Sequence, residues 1–264
     1  MSSLLKSRLA ASRYQLISAC TIAALLIVWA IATLIFRISP MVLPSPPVLM
    51  EEMEKLLLQG YSGKPLYVHI GWSLFRSLTG FVCGVALAIP VGLFMGYSRA
   101  VNAMLQPVFG FFRPIPPIAF IPLMIIWFGI GELSKVLLIF AASFNYTVIN
   151  SAAGMRSVPA QLVRAGTNLG LTRYQLFLSV MLPAAMPHIL TGVKTSAAVS
   201  WAILVASELI AAQAGLGYII MDAGTFFRIP AVFIGIIIIG IIGLGIEIGI
   251  SNIERRFLHW QGKT

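Results

Sequence analysis

LVRAGTNLGLTRYQLFLSVMLPAAMP, residues 162–187, lies between two apolar runs and differs from both. It opens with Arg164, Gly166, Thr167, Asn168 and Gly170, then becomes an apolar tail broken by Pro183 and Pro187. Proline is preorganised for an early helical position, so Pro159 predicts the start of a short helix over AQLVRAGTNL. Glycine accepts the left-handed conformation that ends helices, which places the stop at Gly170. Thr172 is a helix-capping residue and predicts a second helix over TRYQLFLSVML, interrupted at Pro183. Two short helices meeting at a glycine form a compact knob, a shape suited to a groove on another protein.

The flanks set the solvent. The chain has 264 residues, of which 59% are hydrophobic and 10% charged, and its mean hydropathy is +0.94. Soluble domains carry about 25% charged residues. Uncharged stretches lie between Arg13 and Arg37, Arg76 and Arg99, Lys135 and Arg156, and Arg228 and Glu247. A helical span takes roughly 20 mostly apolar residues, and a soluble core has no room for this many helices that are apolar all round. The chain is therefore expected to be an all-α membrane protein with about six transmembrane helices, at 15–36, 77–97, 101–129, 135–155, 188–211 and 231–252.

Charge orients them. Lys6, Arg8, Arg13, Arg99, Arg156, Arg164, Arg173, Arg255, Arg256 and Lys263 fall on one side of this threading, and most acids on the other. Basic residues accumulate in cytoplasmic loops, so both termini and the knob are expected in the cytoplasm. The first apolar run is too long for a secretory leader core and is read as a retained helix. On the outer side, VLMEEMEKLLLQ reads as a short amphipathic helix. Glu51, Glu52 and Glu54 are expected near its start, where the helix dipole favours negative charge. Residues 215–230 are expected to form an outer loop. The third span is unusual, with prolines at 107, 114, 116, 117 and 122. It is either a kinked packing helix or a break tolerated because protein or a watery cavity satisfies its backbone.

The net charge of +10 does not indicate nucleic acid, because the basic residues are scattered singly and form no stripe. Cys20 and Cys83 sit in apolar runs, with no paired-cysteine motif that would imply zinc or a disulfide framework. The Gly262-Lys263-Thr264 end lacks the earlier glycine of a phosphate loop, since position 257 is Phe257. No catalytic or metal-ligating constellation is visible, so any ATP chemistry must come from a partner.

The knob resembles the cytoplasmic loop of binding-protein-dependent ABC importer permeases. Their pattern is Glu-Ala-Ala, three residues, Gly, nine residues, Ile, one residue, Leu-Pro. Here it reads Arg164-Ala165-Gly166, then Gly170, Val180 and Leu182-Pro183 with the spacing intact. Arg164, Gly166 and Val180 are the departures. RPIPPIAFIPLMIIWFGIGELSKVLLIF (113–140), SWAILVASELIAA (200–212), AGLGYII (214–220) and RRFLHWQGK (255–263) are similar to the nitrate, sulfonate, taurine and bicarbonate branch, most of all to taurine permeases.

The resemblance implies a type I, MetI-like permease fold in a bacterial inner membrane. It also implies a second permease copy, two ATP-binding cassette ATPases that bind ATP and Mg, and a periplasmic substrate-binding protein. The coupling region is then 157–187, with Arg164, Ala165, Gly166, Gly170, Leu182 and Pro183 as its marked residues. The domain reading is 1–62 as cytoplasmic segment, first helix and periplasmic loop, 63–252 as permease core, and 253–264 as cytoplasmic tail. The substrate expected is taurine or another small sulfonate. Nitrate or bicarbonate import is the alternative, and an autonomous secondary transporter a more distant one.

Candidate pathway or gate residues are Arg113, Pro116, Pro117 and Glu208. Arg113 either faces a cavity as a bidentate anion ligand or snorkels to an interface. Glu208 is either a gating or structural acid within the membrane, or an interfacial, solvated one. Gly245 and Gly249 suggest close helix contact. His69, His188 and His259 read as interfacial. Trp29, Trp72, Trp127, Trp201 and Trp260 include candidates for the aromatic belts.

Overall fold

The computed structural model describes residues 2–36 and 38–258. The expectations for His259, Trp260, Lys263 and the Gly262-Lys263-Thr264 end lie outside them. The elements are α1 (Ser2–Leu34), α2 (Pro46–Leu58), α3 (Leu66–Tyr97), α4 (Arg99–Phe112), a 3₁₀ turn (Pro117–Phe120), α5 (Ile121–Phe128), α6 (Glu132–Arg156), α7 (Ala160–Asn168), α8 (Arg173–Leu176), a π turn (Phe177–Met181), α9 (Leu182–Ala211), α10 (Leu216–Thr225) and α11 (Ile229–Phe257). Among the described residues, five helical stretches are long and apolar enough to cross a bilayer. The pair formed by α4 and the 117–128 segment, bent by 85°, makes a sixth if it counts as one span.

The centre is α6, packed between α3 and α9. On α3, Gly80, Gly84, Ala88, Gly92 and Gly96 recur every four residues and so share one face. That face lies directly on α6. A Cβ at Gly84 would sit 2.0 Å from Ser143 Oγ, and one at Gly92 would sit 2.6 Å from Ser151 Cβ. Lipid gives no hydrophobic drive for helix association, so close backbone approach through small residues provides the packing. The other side of α6 repeats the device: Gly154 meets Ala185 and His188, Gly192 meets Asn150, and Thr147 Oγ1 lies 3.1 Å from Ser196 Oγ. Trp201 is buried, not at a membrane belt. Its indole Nε1–H donates to Ile239 O at 3.2 Å, with Gly243 leaving room for the ring.

Several boundaries differ from expectation. The second span begins at Leu66 rather than after Arg76, because Arg76 lies inside the helix, neutralised by acids from other elements. Residues 216–225 form α10 instead of an outer loop. In α2 the acids fall beyond the first turn. Glu51 pairs with Lys55 at 2.7 Å and Glu52 with Arg228 at 2.8 Å, so ion pairs rather than the helix dipole account for them. The Lys55 hydrogen bond lowers the Glu51 carboxyl below its ordinary pKa. Gly245 and Gly249 meet no neighbour within this chain, so the expected contact there is absent among the described residues. Finally, α1 is largely exposed along Leu16–Leu34 and is tied in where Trp29 Nε1–H donates to Pro44 O at 3.2 Å.

Candidate functional site

The 157–187 segment forms the knob. Pro159 caps α7, and Gly170, at φ +79°, closes it. Leu171 N–H donates to Gly166 O at 3.2 Å and Gly170 N–H to Thr167 O at 3.0 Å, the two crossing bonds of a Schellman cap. Thr172 then starts α8 with a reciprocal capping box to Gln175. The marked spacing has a packing reason. Gly166 is buried, and a Cβ there would lie 2.6 Å from Leu176 Cδ1 and 3.5 Å from Val180 Cγ2. The missing side chain at 166 thus lets the second arm fold onto the first.

Pro183 does not interrupt the second arm. The chain widens into the π turn, where Leu182 N–H donates to Phe177 O, and continues into α9. A wide turn accommodates a proline that lacks an N–H and would crowd an α-helical carbonyl. Leu182 and Pro183 are half-buried at this junction, whereas Arg164 and Ala165 are exposed on α7. Phe177 meets Tyr97 edge to face at 5.8 Å, which ties the knob to the adjacent end of α3. The sequence reading missed Leu169 and Tyr174, apolar groups 82% and 74% exposed on the knob. Their positions beside the Gly170 cap were the available signal.

At the opposite end of the bundle, Glu208 is buried rather than solvated, at 1% exposure. Arg76 NH1 donates to Glu208 Oε1 at 2.5 Å and to Ala214 O at 2.7 Å. The other side of the guanidinium grips Glu132 through Nε and through NH2, the latter at 2.8 Å. Lys135 Nζ reaches Glu132 Oε1 at 3.0 Å. Two cations and two anions thus form a neutral cluster across α3, α6 and α9.

The cluster also holds the start of α10. Gly215, Leu216 and Gly217 N–H groups donate to His69 Nδ1, Ser73 Oγ and Glu208 Oε2 at 3.1, 2.9 and 2.9 Å. Glycine is required here: a Cβ at Gly215, whose φ is +139°, would lie 2.5 Å from the Glu208 carboxylate. His69 is fully buried, not interfacial. Its Nε2 lies 3.1 Å from Tyr61 O, an arrangement met by the Nε2–H tautomer. Tyr61 in turn donates its hydroxyl to Asp222 Oδ2 at 2.8 Å, and the Arg228 guanidinium lies 5.2 Å over its ring. Burial, followed by the Asp222 hydrogen bond, pushes the Tyr61 phenol well above its ordinary pKa, so it stays a donor. The sequence signal for this clamp was His69, Ser73 and Arg76 on one face of α3, together with the two glycines of AGLGYII.

The third span is broken. Its 85° bend falls at Arg113–Pro116, with Pro116 exposed and Pro117 opening the 3₁₀ turn. Between this span and α6 lies an apolar cavity of about 440 Å³, lined by Phe109, Phe112, Phe120, Trp127 and Phe144 among others. Asn145 borders it, and its buried Oδ1 has no hydrogen-bond partner among the described residues. A second cavity, of about 150 Å³, is lined by Arg113 and Arg156. Glu208 and Arg113 therefore belong to different places: Glu208 to the clamp, Arg113 to the broken span.

Residues 88–259 match the family of binding-protein-dependent transport system inner membrane components. The chain belongs to this family. It is 41% identical over 264 residues to the taurine transport system permease protein TauC of Escherichia coli K12, covering 98% of this chain and 95% of TauC. It is 34% identical to the putative aliphatic sulfonates transport permease protein SsuC of Bacillus subtilis, over 90% of this chain and 85% of that protein. The nitrate import permease protein NrtB of Synechocystis is 32% identical over 89% and 86%. An inward-facing structure of the MetNI methionine ABC transporter superposes with a TM-score of 0.64, at 19% identity, over 78% of this chain and 98% of the other. The protein is thus a multi-pass inner-membrane permease subunit of an ABC importer, with the type I fold.

Proposed function

We propose that this permease imports taurine, or another small organic sulfonate, using ATP hydrolysed by a separate ATPase. The single observation carrying the substrate is the likeness to TauC, which runs through almost the full length of both chains. In this reading two permease copies line one path, and two ATPase subunits bind ATP and Mg below it. A periplasmic binding protein delivers substrate from the clamp side. The knob, with Arg164, Ala165, Leu169 and Tyr174 exposed, docks on the ATPase. Pro116, Pro117 and Arg113 border the path, and Glu208 holds the clamp that gates its outer end.

The substrate test is the complex reconstituted with its own binding protein. Taurine is expected to stimulate ATP turnover most, alkanesulfonates less, and nitrate and bicarbonate little. Stimulation by nitrate or bicarbonate alone would replace the sulfonate reading.

Sidedness is tested by single cysteines in a background lacking Cys20 and Cys83. Leu58 and Leu169 are suitable sites, being 78% and 82% exposed. Gly60 is not, since a Cβ there would sit 2.3 Å from Lys64 O. In intact cells an impermeant thiol reagent is expected to label Leu58→Cys and spare Leu169→Cys. The reverse pattern would invert the orientation.

A further inference from the structure

The two arginines of the smaller cavity are exposed, whereas Arg76 is buried, and they also differ from it in their partners. Arg76 already places four of its five N–H groups on protein acceptors. Arg113 and Arg156 form no ion pair among the described residues. The cavity of about 150 Å³ that they line has no carboxylate in its wall among the described residues.

The neighbouring amides are committed in a way that leaves donors over. Arg156 NH1 donates to Asn102 Oδ1 at 2.6 Å, and Asn102 Nδ2 donates to Gln106 Oε1 at 2.7 Å. Gln106 lines the same cavity, and while its carbonyl oxygen accepts from Asn102, its amide N–H groups have no partner among the described residues. The relay occupies nearby side-chain acceptors and, among the described residues, leaves donors without a protein partner on two exposed guanidiniums and one exposed amide. Planar guanidinium forks match the oxygens of sulfonates and phosphates.

We propose that Arg113, Arg156 and Gln106 form a binding site for a tetrahedral oxyanion at the knob end of α6. The ligand is a sulfonate or phosphate group of net negative charge, carried either by a free small anion or by an anionic lipid headgroup. The site extends the sulfonate reading without resting on it. Arg156 is the last residue of α6, immediately before the 157–187 knob, so an anion here bridges the broken span to the helix that feeds the knob.

Gly110 lines the cavity and has open space where a Cβ would stand, so a thiol can be placed there without a clash. The test uses Gly110→Cys in the native complex, with Cys20 and Cys83 replaced by Ala, in phosphatidylcholine nanodiscs. The probes are two methanethiosulfonates of similar size, one bearing ethylsulfonate and one ethyltrimethylammonium. Their rate ratio cancels changes in the thiol's own reactivity.

Anionic over cationic labelling is expected to exceed that at Leu58→Cys by about tenfold, the lower end of electrostatic focusing in a charged cleft. Adding Arg113→Gln and Arg156→Gln should return the ratio to the Leu58→Cys value, whereas the double Lys variant should keep most of it. Slowing by ethanesulfonate would identify a free anion as ligand, and slowing by added phosphatidylglycerol a lipid headgroup. A ratio equal to that of Leu58→Cys with both arginines present, or protection by neither anion, would overturn the site. Because uptake is not read, failure of the sulfonate import reading leaves this result unaffected.

Discussion

Arg76→Gln is expected to lower the unfolding midpoint of the purified subunit by about 6–20 °C. Removing one partner of a buried ion pair costs about 3–5 kcal/mol, and for a chain of this size each kcal/mol is worth about 2–4 °C. Arg76 is 1% exposed and bonds two acids and the Ala214 carbonyl, so its loss strands Glu208 and half of Glu132 without a counter-charge. Glu208→Gln should fall in the same range, because it leaves a net positive charge and weakens the hold on Gly217 N–H. Arg76→Met with Glu208→Met should be less destabilised than either single Gln variant, since Glu132 keeps Lys135 and neutrality returns. Thermal unfolding in one detergent checks all three. A shift under about 2 °C for Arg76→Gln would mean the cluster is not a clamp.

The second large effect is at the knob. Gly170→Val is expected to insert in the membrane and assemble, yet lose nearly all uptake. A left-handed residue with a Cβ costs about 1–2 kcal/mol, and a β-branched residue resists it most. Residue 170 itself has open space around it, so the penalty is conformational rather than steric. Gly170→Asn separates the two explanations. Asn tolerates the left-handed region, so this variant should retain most uptake although its side chain is nearly as large. Equal loss in both variants would show that bulk at the docking face matters and the cap does not.

Much of this fold is written locally. Apolar length set the number of spans, proline density marked the broken one, and the Pro159, Gly170 and Thr172 chemistry gave the knob its two arms. What was hidden depended on distant partners. Arg76 looked like the edge of a span because its neutralising acids lie 56 and 132 residues away. His69 looked interfacial because its ligands are a turn carbonyl and a backbone N–H 146 residues on. The glycines teach the same lesson. Gly245 and Gly249 drew notice for their spacing and meet no neighbour among the described residues, while the longer Gly80–Gly96 series forms the α3–α6 contact. Spacing shows that small residues share a face; only packing shows whether a helix lies against it. Pro183, read as a stop, is absorbed by a π turn, because the carbonyl it would crowd can shift register.

We propose that ATP turnover in a separate subunit reaches this permease through a knob closed at Gly170. The most direct measurement is ATP hydrolysis by the full complex in proteoliposomes, with and without taurine-loaded binding protein, for the wild-type chain and Gly170→Val. Several-fold stimulation is expected for the wild type, with uptake in step, and only the basal rate for Gly170→Val in either condition. Normal stimulation of Gly170→Val, or ion-gradient-driven uptake by the wild-type chain without any ATPase, would contradict it.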